Sequence, residues 1–208
     1  MTVIPEAEAR ARREELEKRF AGLSFPTRLF IDGRYVDAAS GATLDRISPR
    51  NGKLIAKVAA GDEEDIDRAV AAARRAFESG RWSGLHPRER RKVLQRLARL
   101  VEEHAEELAL LESVDMGKPF TDALAVDIRV TVQCLDFYAE AVDKLYDEVA
   151  PTGPDVLATI TREPVGVVGA VVPWNFPLML ATWKIAPALA TGNAVVVKPA
   201  EQSPLTAL

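Results

Sequence analysis

The residues best suited to chemistry fall in two short stretches near the end of the chain. In Pro173-Trp174-Asn175-Phe176-Pro177 a carboxamide stands between two aromatics and two prolines, directly after the apolar run Val167–Val172. An amide at a strand terminus can donate to an oxygen that gains negative charge during a reaction, which is an electrostatic form of catalysis. The same Asn could instead cap the helix that follows. In Lys198-Pro199-Ala200-Glu201-Gln202-Ser203-Pro204, Lys198 could donate to hydroxyl or phosphate oxygens and Glu201 could accept from the hydroxyls of a ribose. Equally, the two could be a solvated ion pair at a strand end. Trp174 could wall a flat ring or belong to the core.

Other reactive residue types are scarce. The single cysteine, Cys134, lies between Gln133 and Leu135 in a helical stretch and reads as a packing thiol. There is no CxxC and no HExxH, and the only histidines are His86 and His104, so no metal site is expected. A G-x-G-x-x-G turn is also missing, because Gly166 and Gly169 lie before or inside the strand instead of after it. A dinucleotide held here would have to be held another way.

The elements that position these residues can be read from periodicity. The first twenty or so residues form a charged helical extension in which Leu16 and Phe20 are the clear apolar anchors, and a solvent-exposed or frayed segment is expected. Asp32-Gly33 between two alternating arms signals a hairpin, and KLIAKVAAG adds a strand. From Asp62, a plausible N-cap, the apolar period changes to three and four through Ile66, Ala69, Val70, Ala73, Ala76 and Phe77, predicting a helix that stops at Gly80. A second helix is predicted from Pro87 to Gly117-Lys118-Pro119, and a third across Leu124–Leu145. Then come a turn-rich segment, a buried Val-rich strand, a helix interrupted at Pro187 and ended by Gly192, and the strand NAVVVKP. Strand, helix and strand at this spacing make a βαβ unit with parallel strands, so the fold class is α/β. In such a sheet ligands bind beyond the carboxyl ends of the strands, where both candidate stretches fall.

Composition narrows the function classes. The 208 residues carry 27 Lys and Arg against 31 Asp and Glu, a formal charge of −4 with no isolated basic block, which argues against a nucleic-acid partner. At 48% hydrophobic the chain can bury a core, yet no apolar run is long enough to span a bilayer. Without a targeting signal, and with a lone cysteine, a cytoplasmic location is expected.

Taken together, EPVGVVGAVVPWNFPLMLATWKIAPALATGNAVVVKPAEQSPLTAL resembles the aldehyde dehydrogenase superfamily, in which PWNFP, the PALATGN helix end and the KPAEQSPLTAL run share this order and spacing. RLFIDGRYVDA, AAARRAFESGRWS and FYAEAVDKLYDEV extend the resemblance upstream to about Thr27. The stretch AVDKLYDEVAPTGPDVLATITREPVGVVGAVVPWNFPL looks nearest to the branch acting on γ-glutamyl-γ-aminobutyraldehyde and related amino-aldehydes. The family oxidises an aldehyde to its acid with NAD or NADP: a thiolate attacks the carbonyl, hydride leaves for the nicotinamide, and a Glu-activated water hydrolyses the thioester.

The resemblance implies roles. Asn175 would be the oxyanion donor, held stiff by its bracketing prolines. Val171, Val172, Pro173 and Trp174 would line the cofactor cleft, with Lys198 and Glu201 at the adenosine ribose. A Glu there implies NAD over NADP, since it accepts from a free 2′-hydroxyl and repels a 2′-phosphate. The implied layout is a charged extension (1–27), the N-terminal hairpin and helices of a nucleotide-binding domain (28–147), an arm that bridges subunits of a homo-oligomer (148–163), and the first βαβ unit of an atypical Rossmann-like domain (164–208). The family's nucleophile and base motifs do not occur. The 208-residue chain is therefore expected to be inactive alone, with an unpaired sheet edge that makes it poorly soluble or partner-dependent. The alternative is a non-catalytic nucleotide-binding or oligomer-interface module.

Overall fold

A computed structural model describes residues 5–208. The chain begins with α1 (Glu6–Ala21), which buries none of its residues. It is nevertheless anchored at its far end. Phe20 stacks on Phe25 with ring centroids 5.8 Å apart and packs with it against Val58, Leu111 and Leu205, while Arg19 pairs with Glu106 at 2.7 Å. Residues 1–4 of the expected extension lie outside the described residues.

The hairpin β1 (Leu29–Ile31) and β2 (Arg34–Val36) turns through Asp32 at φ 54° and Gly33 at φ 74°. Both central residues are left-handed, as a type I′ turn requires, and the Asp-Gly signal identified it correctly. The KLIAKV strand is β4 (Leu54–Ala59), and it pairs antiparallel with β3 (Thr43–Ile47), which the sequence did not reveal. The reason is that the only buried residue of β3 is Arg46. A strand whose inward side chain is a guanidinium shows no apolar alternation.

Helix α2 (Glu63–Glu78) opens with the anticipated cap: Asp62 accepts from the Glu64 N–H, and Asp65 reaches back to the Asp62 N–H in a capping box. Asp65 also accepts from Ala39 N–H, fixing the chain before β3. The predicted apolar stripe of α2 is present, but Ile66 and Val70 stay 45% and 41% exposed. Ile66 borders an open groove, and Ala72, which is buried, lies in the lining of the same groove.

The single helix predicted from Pro87 to Gly117 is two helices, α3 (Pro87–Glu103) and α4 (Ala105–Met116), broken at His104 with φ −102° and ψ 19°. No Pro or Gly marks the break, and the apolar period runs through it, so the sequence gives no warning. The kink turns α4 into the protein, where Ala109 to Ser113 and Asp115 are buried. The third predicted helix also changes character. A short α5 (Phe120–Asp122) leads into a π-helical stretch, Ala123–Ile128, before α6 (Arg129–Ala141) takes up the ordinary period. Leu94, Ala98, Val101, Ala109, Ile128, Leu135 and Ala186 are among the side chains that close the main core between these helices.

Next comes the exposed hairpin β5 (Glu148–Ala150) and β6 (Ala158–Ile160), with Val149, Leu157 and Ile160 open to solvent. The βαβ unit follows: β7 (Val167–Val171) and β8 (Ala194–Lys198) are parallel, joined by α7 (Pro177–Ala190). Helices α2 and α7 both pack on this pair. Helix α7 is not interrupted at Pro187; it runs straight through. The carbonyl that loses its donor belongs to Trp183, a residue on the half-exposed side of the helix. Arg90 and Trp82 reach across from α3 and the loop before it to bond the Ala190 and Leu189 carbonyls at the end of α7. Among the described residues no helix is long and apolar enough to cross a membrane.

Asn193 sets the spacing of the unit. Its Oδ1 accepts from Gly166 N–H at 2.9 Å, and its Nδ2 donates to Ala188 O and Thr191 Oγ1, so one 3% exposed side chain joins the start of β7 to the end of α7. Asn193→Ala leaves the Gly166 N–H without a partner and should cost about 1–3 kcal/mol of stability. Urea denaturation of the two forms measures this, and equal midpoints would remove Asn193 from this role.

Candidate active site

The register Val171↔Lys198 places the carboxyl ends of β7 and β8 side by side, and Val172 N–H donates to Lys198 O at 3.1 Å, carrying the ladder one step further. The loops bearing Asn175 and Glu201 therefore leave from the same edge. They are also tied to each other: Ser203 Oγ, fully buried, donates to the Trp174 carbonyl at 3.0 Å.

Asn175 is exposed, and the cap position of α7 is held by Phe176 with no local side-chain bond to the first turn. The capping role open to Asn175 from its sequence position is thus not the one it plays. Among the described residues only its main chain is engaged, the carbonyl accepting from Lys118 Nζ at 3.3 Å. Capping of α7 comes from far away in sequence, where Glu112 Oε1 on α4 accepts from Leu178 N–H at 2.9 Å. Lys118 lies 3.7 Å from the centre of the Phe176 ring and forms a buried ion pair with Asp127 of the π-helical stretch. The corner is consequently gripped on three sides by Glu112, Lys118 and Ser203.

The other candidate residues are placed as follows. Val171 and Trp174 are 75% and 56% exposed, and Pro173 is exposed beside them. Trp174 is therefore not a core residue. Val172 is 4% exposed; its side chain packs inward and only its backbone faces the edge. Lys198 and Glu201 are ion-paired to each other, and the ammonium holds the Glu201 carboxyl below its ordinary range. They line part of a cavity of about 860 Å³ that runs along β8 between the β1–β2 hairpin and α2, with Ile66, Phe77 and Val197 also in its walls. Asn175 and Trp174 lie outside that lining. Cys134 is half-buried against the helical core, and burial pushes its thiol up, which suits packing and not nucleophilic attack. Among the described residues no cluster of His, Cys, Asp or Glu could hold a metal.

A profile of the aldehyde dehydrogenase family matches residues 35–208, most of the chain. The chain belongs to the aldehyde dehydrogenase family. It is 53% identical over 196 residues to an aminoacetaldehyde dehydrogenase of Pseudomonas aeruginosa, an alignment covering 94% of this chain and 40% of that protein. An NADP/NAD-dependent aldehyde dehydrogenase of Escherichia coli is 52% identical over 186 residues, covering 89% and 38%. Among solved structures, the P. syringae indole-3-acetaldehyde dehydrogenase in complex with NAD+ superposes with a TM-score of 0.92 at 57% identity, covering 94% of this chain and 39% of that one. A γ-glutamyl-γ-aminobutyraldehyde dehydrogenase of Burkholderia cenocepacia gives 0.91 at 52%, covering 93% and 39%. The chain thus spans about two fifths of the length of these family members. Enzymes named for amino-aldehydes and for indole-3-acetaldehyde match it at similar identity, 52–57%.

Four residues around this candidate site are not singled out by the sequence: Glu112, Lys118, Asp127 and Ser203. Gly117-Lys118-Pro119 looked like an ordinary helix stop, and Gly117 does end α4 at φ 83°. The one available signal was acidic residues at core positions: Glu112 and Asp115 lie among the apolar residues of a helix that otherwise buries Leu110 and Leu111.

Asp115 serves the second loop as Glu112 serves the first. Its Oδ2 accepts from Leu205 N–H at 2.9 Å, and Oδ1 pairs with buried Arg46 of β3. Burial raises the Asp115 carboxyl, against the opposing pull of the Leu205 bond and Arg46. Asp115→Ala strands the Arg46 guanidinium and should cost about 3–5 kcal/mol in urea denaturation, as removal of one member of a buried pair does. A loss below about 1 kcal/mol would show the pair to be dispensable.

Glu112 is raised from 4.5 to about 7, first by burial and then by the charge of Asp127, against the pull of Lys118 and the Leu178 bond. The folded protein therefore holds this proton more tightly than the unfolded chain. The stability it lends is complete below pH 4.5 and is lost as pH rises through about 7. The loss is on the order of 3 kcal/mol. In Glu112→Gln the amide mimics the protonated form, so urea midpoints from about pH 5 to about pH 8 should fall in the wild type relative to the variant; parallel curves would contradict the linkage.

Proposed function

We propose that this chain supplies the oxyanion donor and one half of the dinucleotide site of an NAD-dependent aldehyde dehydrogenase that oxidises an aldehyde, with amino-aldehydes as the first class to try. The observation that carries the reading is Asn175. Its carboxamide stands exposed at the carboxyl edge of the parallel strands, while everything around it is fixed: the Asn175 carbonyl by Lys118, the Trp174 carbonyl by Ser203, and the first turn of α7 by Glu112. A rigid corner with one free donor is the arrangement electrostatic catalysis needs, because no reorganisation remains to be done when charge develops on the substrate oxygen.

The residues present fit a dinucleotide. Lys198 and Glu201 in the lining of the groove along β8 would turn from each other to the adenosine ribose hydroxyls, Lys198 donating and Glu201 accepting. Val171, Val172, Pro173 and Trp174 border the edge along which the cofactor would lie, Val172 through its backbone. When bound, NAD supplies the hydride acceptor. Cys134 is not the nucleophile. Residues 28–147 and 164–208 would build the nucleotide-binding domain, and the exposed apolar hairpin within 148–163 would bridge subunits of a homo-oligomer; its uncovered Val149, Leu157 and Ile160 support that reading.

The family identification favours this over a non-catalytic module. Aldehyde-dependent NADH formation in a native preparation, lost by about 100-fold in Asn175→Ala with cofactor affinity unchanged, is the expected result. An Asn175→Ala form with undiminished turnover would overturn the oxyanion role. Glu201→Gln should narrow the preference for NAD over NADP; tighter binding of NADP by the wild type would refute the ribose assignment.

A further inference from the structure

Helix α4 and the π-helical stretch place two carboxyl groups behind the Asn175 corner, and each is left with one oxygen unsatisfied. Glu112 and Asp127 are both 0% exposed. Glu112 Oε1 accepts from Leu178 N–H, and Asp127 Oδ2 pairs with Lys118 Nζ, but Glu112 Oε2 and Asp127 Oδ1 have no hydrogen-bond partner. A buried acceptor without a donor is costly, and two such acceptors on neighbouring acids are satisfied together by one proton between them.

We infer that Glu112 and Asp127 share a proton and, with Lys118, form a positioning device that sets the Asn175 corner; the inference rests on the oxyanion role proposed for Asn175. With the proton in place, Glu112 donates through Oε2 to Asp127 Oδ1. Oε1 is then free to hold Leu178 N–H, and Asp127 Oδ2 holds Lys118. The remaining reach of Lys118 goes to Asn175 O and to the Phe176 ring, as the structure shows. The cluster then counts one carboxylate against one ammonium and is neutral. Remove the proton and two carboxylates face one ammonium in a dry site. Water must enter, or Lys118 must move inward and leave the Asn175 carbonyl.

The neighbouring charges do not supply an alternative partner. The charged groups acting on Glu112 are Asp127 and Lys118. Farther along α4, Asp115 is committed to Arg46 of β3 and to Leu205 N–H. Helix α7 offers this site a backbone N–H, and Thr131 of α6 donates its hydroxyl to the Asp127 carbonyl, not to the carboxyl. The direction found for Glu112, raised to about 7, agrees with a proton retained at neutral pH.

The test is amide hydrogen exchange of the 208-residue chain, read at Leu178, whose N–H Glu112 holds, and corrected for intrinsic rate, between about pH 6 and about pH 8.5. In the wild type, protection of this amide should fall by about 10-fold or more across that range while the middle of α7 stays unchanged; an unfolding effect would move both. Glu112→Gln keeps an acceptor for Leu178 N–H and a permanent donor for Asp127, so its corner should remain protected throughout. Glu112→Leu should lose the protection at all pH values. A flat wild-type profile, or the same pH dependence in Glu112→Gln, overturns the inference whether or not Glu112→Leu folds. None of these readings depends on turnover. A failed positioning device leaves the Asn175→Ala activity result intact, and a failed oxyanion role leaves the exchange profile intact.

Discussion

Two carboxyl groups on α4, those of Glu112 and Asp115, each hold the far end of a loop that leaves the parallel strands by accepting one main-chain N–H, and the candidate site depends on that pair of bonds. Leu178 N–H, in the first turn of α7, follows the loop with Asn175, and Leu205 N–H follows the loop with Lys198 and Glu201. The two loops follow different strands and have no covalent reason to keep a fixed separation. A single rigid helix holding both supplies that reason. The two carboxyl groups satisfy backbone donors inside the protein, which offsets part of the cost of burying them.

That arrangement also explains the kink at His104. A straight continuation of α3 would carry the acidic residues of α4 in a different direction. Bending at His104 turns Glu112 and Asp115 inward, and the charges they meet come from three other places: Arg46 from β3, Lys118 from the turn after α4, and Asp127 from the π-helical stretch. Local rules of helix formation are followed on each side of the break. The break itself is imposed by what the helix must reach.

Much of this was legible in the sequence. The Asp32-Gly33 turn, the Asp62 cap and the parallel Val strands followed from turn chemistry, capping and periodicity, each acting over a few residues. The motif corner and the KPAEQSP loop could be placed at strand ends, but taken singly their residues read as well as a cap and a solvated ion pair, and their roles came from the family resemblance. What stayed hidden had one common cause, namely partners distant in sequence. Arg46 concealed β3, since its ion partner lies 69 residues on. Glu112 looked like one more acid on an amphipathic helix, because the N–H it serves is 66 residues away. The exposure of the α2 stripe was equally unreadable, since a periodic apolar face reports that something should cover it and not where that cover comes from.

The π-helical stretch Ala123–Ile128 has a consequence for how the chain tolerates insertion and deletion. A wider turn accommodates more residues than an α-turn, so the orientation of residues on either side is no longer locked to one period. Removing one residue there and restoring an α-turn would rotate the upstream side chains by about 100° relative to α6. Either Asp127 would leave Lys118 or Leu135 and Ala139 would leave the core. The stretch works as a phase adjuster between two demands that a uniform helix could not meet together: α6 keeps the register its packing needs, and the acid behind the Asn175 corner keeps its own.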